Sequence, residues 1–260
     1  PSFVVFVGDV AQCPTFSISG DATDRPYCAV DGDELPDIYY GRLSATNSSE
    51  LQAILDKTMM YDQYTMPDPS YLGEVTLIAG VDSYYATTHA NGQLNYGTTH
   101  YFNASHGISS NTYLYPASGS AGSAIIQSVS DGVGFINYTA HGSVTSWADP
   151  SFTQSDINSL SNSGQYCLAI GNCCVTSTYD YSECFAETWL RAADKGAIGY
   201  IGGSNNTYWD EDYWWGVGYH PSSEIAGTAY PYARTGMGAY DGLFHHHGEA
   251  LTQWYVVHDA

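Results

Sequence analysis

Positive charge is the first thing this chain is short of. Its 260 residues carry six Lys plus Arg against 27 Asp plus Glu, a formal net charge of −21. A nucleic-acid binder needs a basic stripe to displace counterions, so that class is excluded. No polybasic segment is present to dock on anionic membranes. Long apolar runs are lacking too: the longest, such as Phe3-Val4-Val5-Phe6-Val7, are strand-length, which predicts no membrane insertion. No charged segment leads into an apolar stretch in the manner of a signal peptide. Zinc spacing is absent, because Cys13, Cys28, Cys167, Cys173, Cys174 and Cys184 form no CxxC pair and no Cys/His cluster. With no internal repeat and no long linker, residues 1–260 are expected to form one domain.

What is present can fill a core. Hydrophobic residues make up 43% and aromatics 15%, while only 13% are charged, a composition that excludes disorder. Cys13 and Cys28 bracket the polar loop Pro14 to Tyr27, and a disulfide closing it is the expectation for a secreted protein. The other four cysteines crowd one segment, which suggests a reactive thiol.

Short apolar runs alternate with helix-like stretches. Phe3–Val7, Ile38–Leu43, Val75–Asp82, Val133–Tyr138, Cys167–Gly171 and Ala197–Ile201 read as strands, the first as a buried parallel one. Helices are expected over Asn47–Tyr61, around Ile125, Ile126 and Val129, over Cys184–Lys195 and over Gly242–His258. In the first of these, Leu51, Ile54, Leu55 and Met59 share a face, and Asn47 with Glu50 resembles a capping box. This alternation predicts an α/β fold with a mostly parallel central sheet flanked by helices on both faces.

In such sheets, function collects beyond the carboxyl ends of the strands. Those ends deliver Asp9, Asp82, His141 and the pair Cys173-Cys174. A cysteine nucleophile needs thiolate character and a neighbouring imidazole. Gly142, directly after His141, permits a tight turn and a backbone N–H facing a substrate carbonyl.

The segments Asn137-Tyr138-Thr139-Ala140-His141-Gly142-Ser143 and Ala169-Ile170-Gly171-Asn172-Cys173-Cys174 resemble the catalytic motifs of the gingipains, secreted cysteine peptidases of the caspase-like clan. The likeness is strongest to the lysine-specific branch and continues through Thr145-Ser146-Trp147 and Cys184-Phe185-Ala186-Glu187. It implies a caspase-like fold, Cys174 as nucleophile and His141 as general acid/base. Asp82 is implied as the orienting acid, with the N–H groups of Gly142 and Cys174 as oxyanion hole. Thr139, Trp209 and Asp212 look similar to the lining of that branch's lysine pocket. An aromatic wall above a carboxylate suits a long aliphatic stem ending in an ammonium, whereas the bland reading of Asp210-Glu211-Asp212 is a solvated acidic patch.

Asp31-Gly32-Asp33-Glu34-Leu35-Pro36-Asp37 alternates carboxylates in a way that suits Ca²⁺, or forms a plain acidic turn. The resemblance implies calcium on Asp31, Asp33, Asp37 and the Leu35 carbonyl, with a second site on Asp9, Glu187 and the Tyr179 carbonyl. It implies no organic cofactor. His245-His246-His247 reads as a surface run, since consecutive helical residues point in different directions.

Two departures stand out. Val144 replaces a Glu of the lysine-specific branch, and Val175–Glu183 is one residue shorter than its counterpart. In the family, further chain precedes and follows this stretch, so a subdomain of a larger precursor is expected, with other domains of that precursor as partners. The resulting expectation is a secreted or cell-surface bacterial endopeptidase, stabilised by calcium, cutting proteins after Lys. The alternative is a catalytically inactive gingipain-like adhesion or binding module.

Overall fold

The computed structural model describes residues 3–33, 35–228 and 238–244. Along the chain run β1 (Phe3–Val7), β2 (Phe16–Ile18), β3 (Asp21–Thr23), β4 (Tyr39–Leu43), α1 (Ser48–Asp62), β5 (Glu74–Ala79), α2 (Asn91–His100) and β6 (Ser109–Tyr113). There follow α3 (Gly122–Ser130), β7 (Phe135–Thr139), β8 (Gly142–Ser143), β9 (Ser146–Trp147), β10 (Phe152–Thr153), α4 (Gln154–Ser159), β11 (Cys167–Asn172), α5 (Phe185–Arg191), β12 (Ala197–Gly202), α6 (Trp209–Val217) and α7 (Ala239–Phe244).

The apolar runs become one five-stranded sheet in the order β12-β11-β7-β5-β6, every pairing parallel. Strand periodicity sends alternate side chains to opposite faces. Val75, Leu77 and Ala79 of β5 pack with Leu94, Tyr213, Trp215 and Tyr240 of α2, α6 and α7. Ile78, Ile136, Tyr138 and Ala169 face the other way, against Ile125, Val129, Ile157, Phe185 and Trp189 of α3, α4 and α5. The sheet is thus covered on both faces, as expected. No helix among the described residues is long and apolar enough to cross a membrane.

Several expectations need correction. β1 is a parallel strand, paired with β4, but it is not buried: Phe3, Val5 and Val7 are 73%, 58% and 50% exposed. Its two-stranded sheet has no covering layer on that face among the described residues. In α1 Asn47 caps as read, accepting the Ser49 and Glu50 N–H groups, but the Glu50 carboxylate bonds back to the Thr46 N–H at 2.8 Å and no capping box closes. The buried residues are Ile54 and Lys57, however, and Met59 is exposed. The predicted Cys184–Lys195 helix is only the seven-residue α5, with Glu187 bonding back to the Cys184 N–H. α2 and β6 were not foreseen: Asn91–His100 has two glycines and little apolar periodicity, and β6 is a polar edge strand. The last predicted helix lies outside the described residues beyond Phe244, as does the histidine run.

The predicted Cys13–Cys28 disulfide does not form; both thiols are free. A guanidinium ties the loop instead. Arg42 pairs with both Asp24 oxygens at 2.8 and 2.6 Å and donates to the Gly8 and Cys13 carbonyls at 2.7 and 2.9 Å.

Candidate active site

Four neighbouring strands each end in one chemical group. Asp82 follows β5, His141 follows β7, Cys173-Cys174 follow β11, and the segment leading to Asp212 follows β12. Parallel pairing puts all these ends on one rim, so residues up to 130 positions apart (Asp82 to Asp212) meet there.

His141 Nε2 donates to Asp82 Oδ2 at 2.9 Å. Asp82 Oδ1 accepts the Tyr84 and Tyr85 N–H groups, each at 2.8 Å. Partial burial works against the Asp82 charge, but the Tyr85, His141 and Tyr84 hydrogen bonds outweigh it and hold the carboxyl below its usual range. With Nε2 committed, Nδ1 is the ring nitrogen left for proton exchange. Trp209 stands perpendicular to the imidazole, centroids 5.6 Å apart, and stacks on Tyr85 at 5.6 Å.

Burial separates the two adjacent cysteines. Cys173 is fully enclosed, and desolvation, with the Asp212 charge second, pushes its thiol far up. Burial likewise raises Cys167, to about 12, and Cys184. Cys174 is the half-exposed member of this group. Its Sγ donates to the Thr207 carbonyl at 3.5 Å and accepts the Thr207 N–H at 3.4 Å.

Gly142 is where the His and Cys segments touch. A Cβ there would lie 2.5 Å from the Cys174 carbonyl oxygen and 2.7 Å from Cys173 Sγ, so only glycine allows this approach. The His141 carbonyl accepts from Ala148 N–H at 3.0 Å. Antiparallel alternation then leaves the Gly142 N–H off the β8–β9 ladder, available to a substrate oxygen.

Asp212 lies on the first turn of α6, buried. Oδ2 accepts the Thr207 hydroxyl at 3.1 Å, whereas Oδ1 has no partner. Desolvation raises its pKa strongly. Two buried amides, Gln93 Nε2 at 2.7 Å and Asn172 Nδ2 at 2.6 Å, hold its backbone carbonyl. Thr139, expected in the pocket lining, is fully buried: its hydroxyl donates to Gln93 Oε1 and accepts from Asn172 Nδ2 at 3.2 Å. It therefore braces this network from behind. Asp210, next to Trp209, is no solvated patch residue either. It accepts from His89 Nε2 at 2.9 Å and from the Ser222 hydroxyl, which pins the start of α6 to the chain after Asp82.

Sequence reasoning missed Thr207, Gln93 and His89. Thr207 sits in a polar loop and Gln93 in an unrecognised helix, so neither carried a motif.

The whole rim matches one family. Residues 1–255 fit the model of peptidase family C25. The chain belongs to peptidase family C25. It is 44% identical over 252 residues to Lys-gingipain of Porphyromonas gingivalis, covering 94% of this chain and 14% of that protein. A solved protease structure superposes with a TM-score of 0.86 at 42% identity, covering 94% of this chain and 53% of that one. The Arg-specific cysteine proteinase gingipain R superposes at 0.70 with 25% identity, covering 82% of this chain and 50% of that one. This C25 chain therefore has the caspase-like α/β fold, and it spans about half the length of these solved relatives.

The expected metal ligands divide into two groups. Asp9 and Glu187 do come together, but around Arg191, whose Nη2 lies 3.0 Å from Asp9 Oδ2 and 2.6 Å from Glu187 Oε1. Tyr179 is engaged with Thr15 through its hydroxyl, and its ring lies under Arg42. The Arg191 guanidinium stands between the two carboxylates and takes the hydrogen bonds an ion would need, and among the described residues no three carboxylates, His or Cys are placed there to hold a metal. In the exposed loop, Asp31, Asp33 and Asp37 each accept a backbone N–H. Their hard oxygen donors suit Ca²⁺ chemically, although among the described residues no three carboxylates, His or Cys converge as a metal site.

Proposed function

We propose that this chain is the catalytic part of a secreted cysteine endopeptidase that hydrolyses peptide bonds after Lys. The observation that carries the reading is the buried Asp212 carboxylate, with Oδ1 lacking a partner, joined through one residue to Cys174 Sγ. A buried, half-satisfied carboxylate calls for a cation that brings its own donors, which a substrate ammonium does. Trp209, beside His141, supplies the wall along which the aliphatic stem lies.

In the proposed reaction, His141 Nδ1 takes the Cys174 proton and the thiolate attacks the scissile carbonyl carbon. The oxyanion is received by the Gly142 and Cys174 N–H groups. The imidazolium passes its proton to the leaving amine as the C–N bond breaks, and a water deprotonated by His141 then releases the acid from the thioester. Cys174 must first leave Thr207; catalytic hydrogen bonds are often completed only with substrate bound.

Labelling with a lysyl chloromethyl ketone tests this. An adduct on Cys174, lost with hydrolysis in Cys174→Ala, supports the peptidase. Folded protein that takes no label favours a binding module. A structural calcium on Asp31, Asp33, Asp37 and the Leu35 carbonyl belongs to the same proposal, and a melting temperature unmoved by chelator would count against it. Location outside the cell and association with other domains of a precursor follow from the same family reading.

A further inference from the structure

One residue touches both the nucleophile and the specificity carboxylate. The Thr207 peptide group brackets Cys174 Sγ, N–H at 3.4 Å and carbonyl at 3.5 Å. Its hydroxyl donates to Asp212 Oδ2 at 3.1 Å and lies 4.0 Å from the same sulfur. The surrounding loop is fastened to the nucleophile loop, with Val175 N–H on the Asn205 carbonyl and Ser177 N–H on the Gly203 carbonyl, both at 2.9 Å. The Thr207 methyl packs over Gly203, where a Cβ would come within 2.8 Å of Cγ2. Methyl against Gly203 and hydroxyl against Asp212 together fix the rotamer.

We propose that Thr207 is a specificity-determining positioning residue, whose hydroxyl aims the Asp212 carboxylate at the substrate ammonium while its peptide group sets the distance from that carboxylate to the Cys174 sulfur. This rests on the Lys-directed reading above. Thr207 supplies the side-chain hydrogen bond to the Asp212 carboxylate, and without it both oxygens stand unpartnered in a buried site. Burial then favours the neutral acid, which attracts an ammonium far less. Thr207 thus acts through Asp212, not on the reacting atoms.

The test compares wild type, Thr207→Val and Thr207→Ser on two matched peptides, one with Lys and one with norleucine at the cleaved position. Valine keeps the shape and the peptide group but removes the hydroxyl; serine keeps the hydroxyl. The ratio of kcat/KM for Lys over norleucine should fall about tenfold in Thr207→Val, mostly through KM for Lys, as expected for losing one hydrogen bond to a charged group. Thr207→Ser should restore it. An unchanged ratio in Thr207→Val, or a loss shared equally by both peptides, overturns the proposal while leaving the Lys reading intact. A wild type with no preference for Lys over norleucine overturns both.

Discussion

Lys57 donates its ammonium to the carbonyl of Lys195 at 3.0 Å, so the only two lysines of the chain are bonded to each other. Lys57 is buried and also caps the Trp189 and Ala192 carbonyls at the end of α5. Lys195 in turn donates to the Asn158 carbonyl. Lys57 is enclosed by the fold, Lys195 is tethered at its tip, and the carbonyl of the bond that a Lys-directed peptidase, as proposed, would cut after Lys195 is occupied. The scarcity of lysine is thereby matched by a structural lock on the pair that remains. In Lys57→Met, active protein should nick itself between Lys195 and Gly196, and the same change in a Cys174→Ala background should leave the chain whole. Mass spectrometry of the fragments checks it; an intact active variant sinks the idea.

Asp212→Asn should cost kcat/KM for Lys about a hundredfold or more, the scale of breaking a buried ion pair. The folded carboxyl titrates well above its ordinary 3.8 because of burial. The unfolded chain therefore loses this proton at lower pH than the folded one. The wild type should lose stability as pH rises above about 4, and Asp212→Asn should flatten that slope. Denaturant melts at a series of pH values read the difference.

Asp82→Asn keeps an oxygen for the Tyr84 and Tyr85 N–H groups but presents an amide to His141. We expect kcat to fall about a hundredfold with KM little changed, because the imidazole loses its orienting acceptor. Here the folded pKa lies below the ordinary 3.8, so the sign is opposite. The stabilisation is present above that value and disappears as pH falls through the lower folded one. The stability gap between wild type and Asp82→Asn should therefore close under strong acid.

Gly142→Ala puts a methyl where the Cys174 carbonyl oxygen would be 2.5 Å away. Backbone cannot step aside as a side-chain end can, so the His and Cys segments must separate. A loss of about 1–3 kcal/mol in stability is expected from such overpacking, with activity down by about a hundredfold from misplacement near 1 Å. Thermal melts and peptide hydrolysis measure the two effects separately.

The placement of His141 and of the Cys173-Cys174 pair on one rim was legible because parallel strands announce themselves as apolar runs; the choice of Cys174 within the pair came from the family resemblance. Asp82 was found by the same rule. The pocket was read only in outline. Thr139 has the right position in sequence, but its hydroxyl is consumed by Gln93, a residue on a helix without an apolar stripe. The disulfide expectation failed because loop closure can be achieved by Arg42 as readily as by two thiols. At Asp9 and Glu187, which the resemblance implied as ion ligands, the guanidinium of Arg191, distant in sequence from Asp9, stands between the two carboxylates.

Taken alone, the sequence determined the strand order of events: which runs are apolar, where each ends, and which acid, base and thiol follow. Those are local properties, set by side-chain type and period. Tertiary structure decided which of two adjacent cysteines is exposed, which carboxylate keeps one oxygen without a partner, and which polar residue bridges thiol and carboxylate. Burial and partnership depend on what packs from elsewhere in the chain. The −21 charge marks the same boundary: composition limits the kinds of partner, while the carboxylate proposed to choose a substrate is one of the few the fold buries, and it keeps an oxygen without a partner.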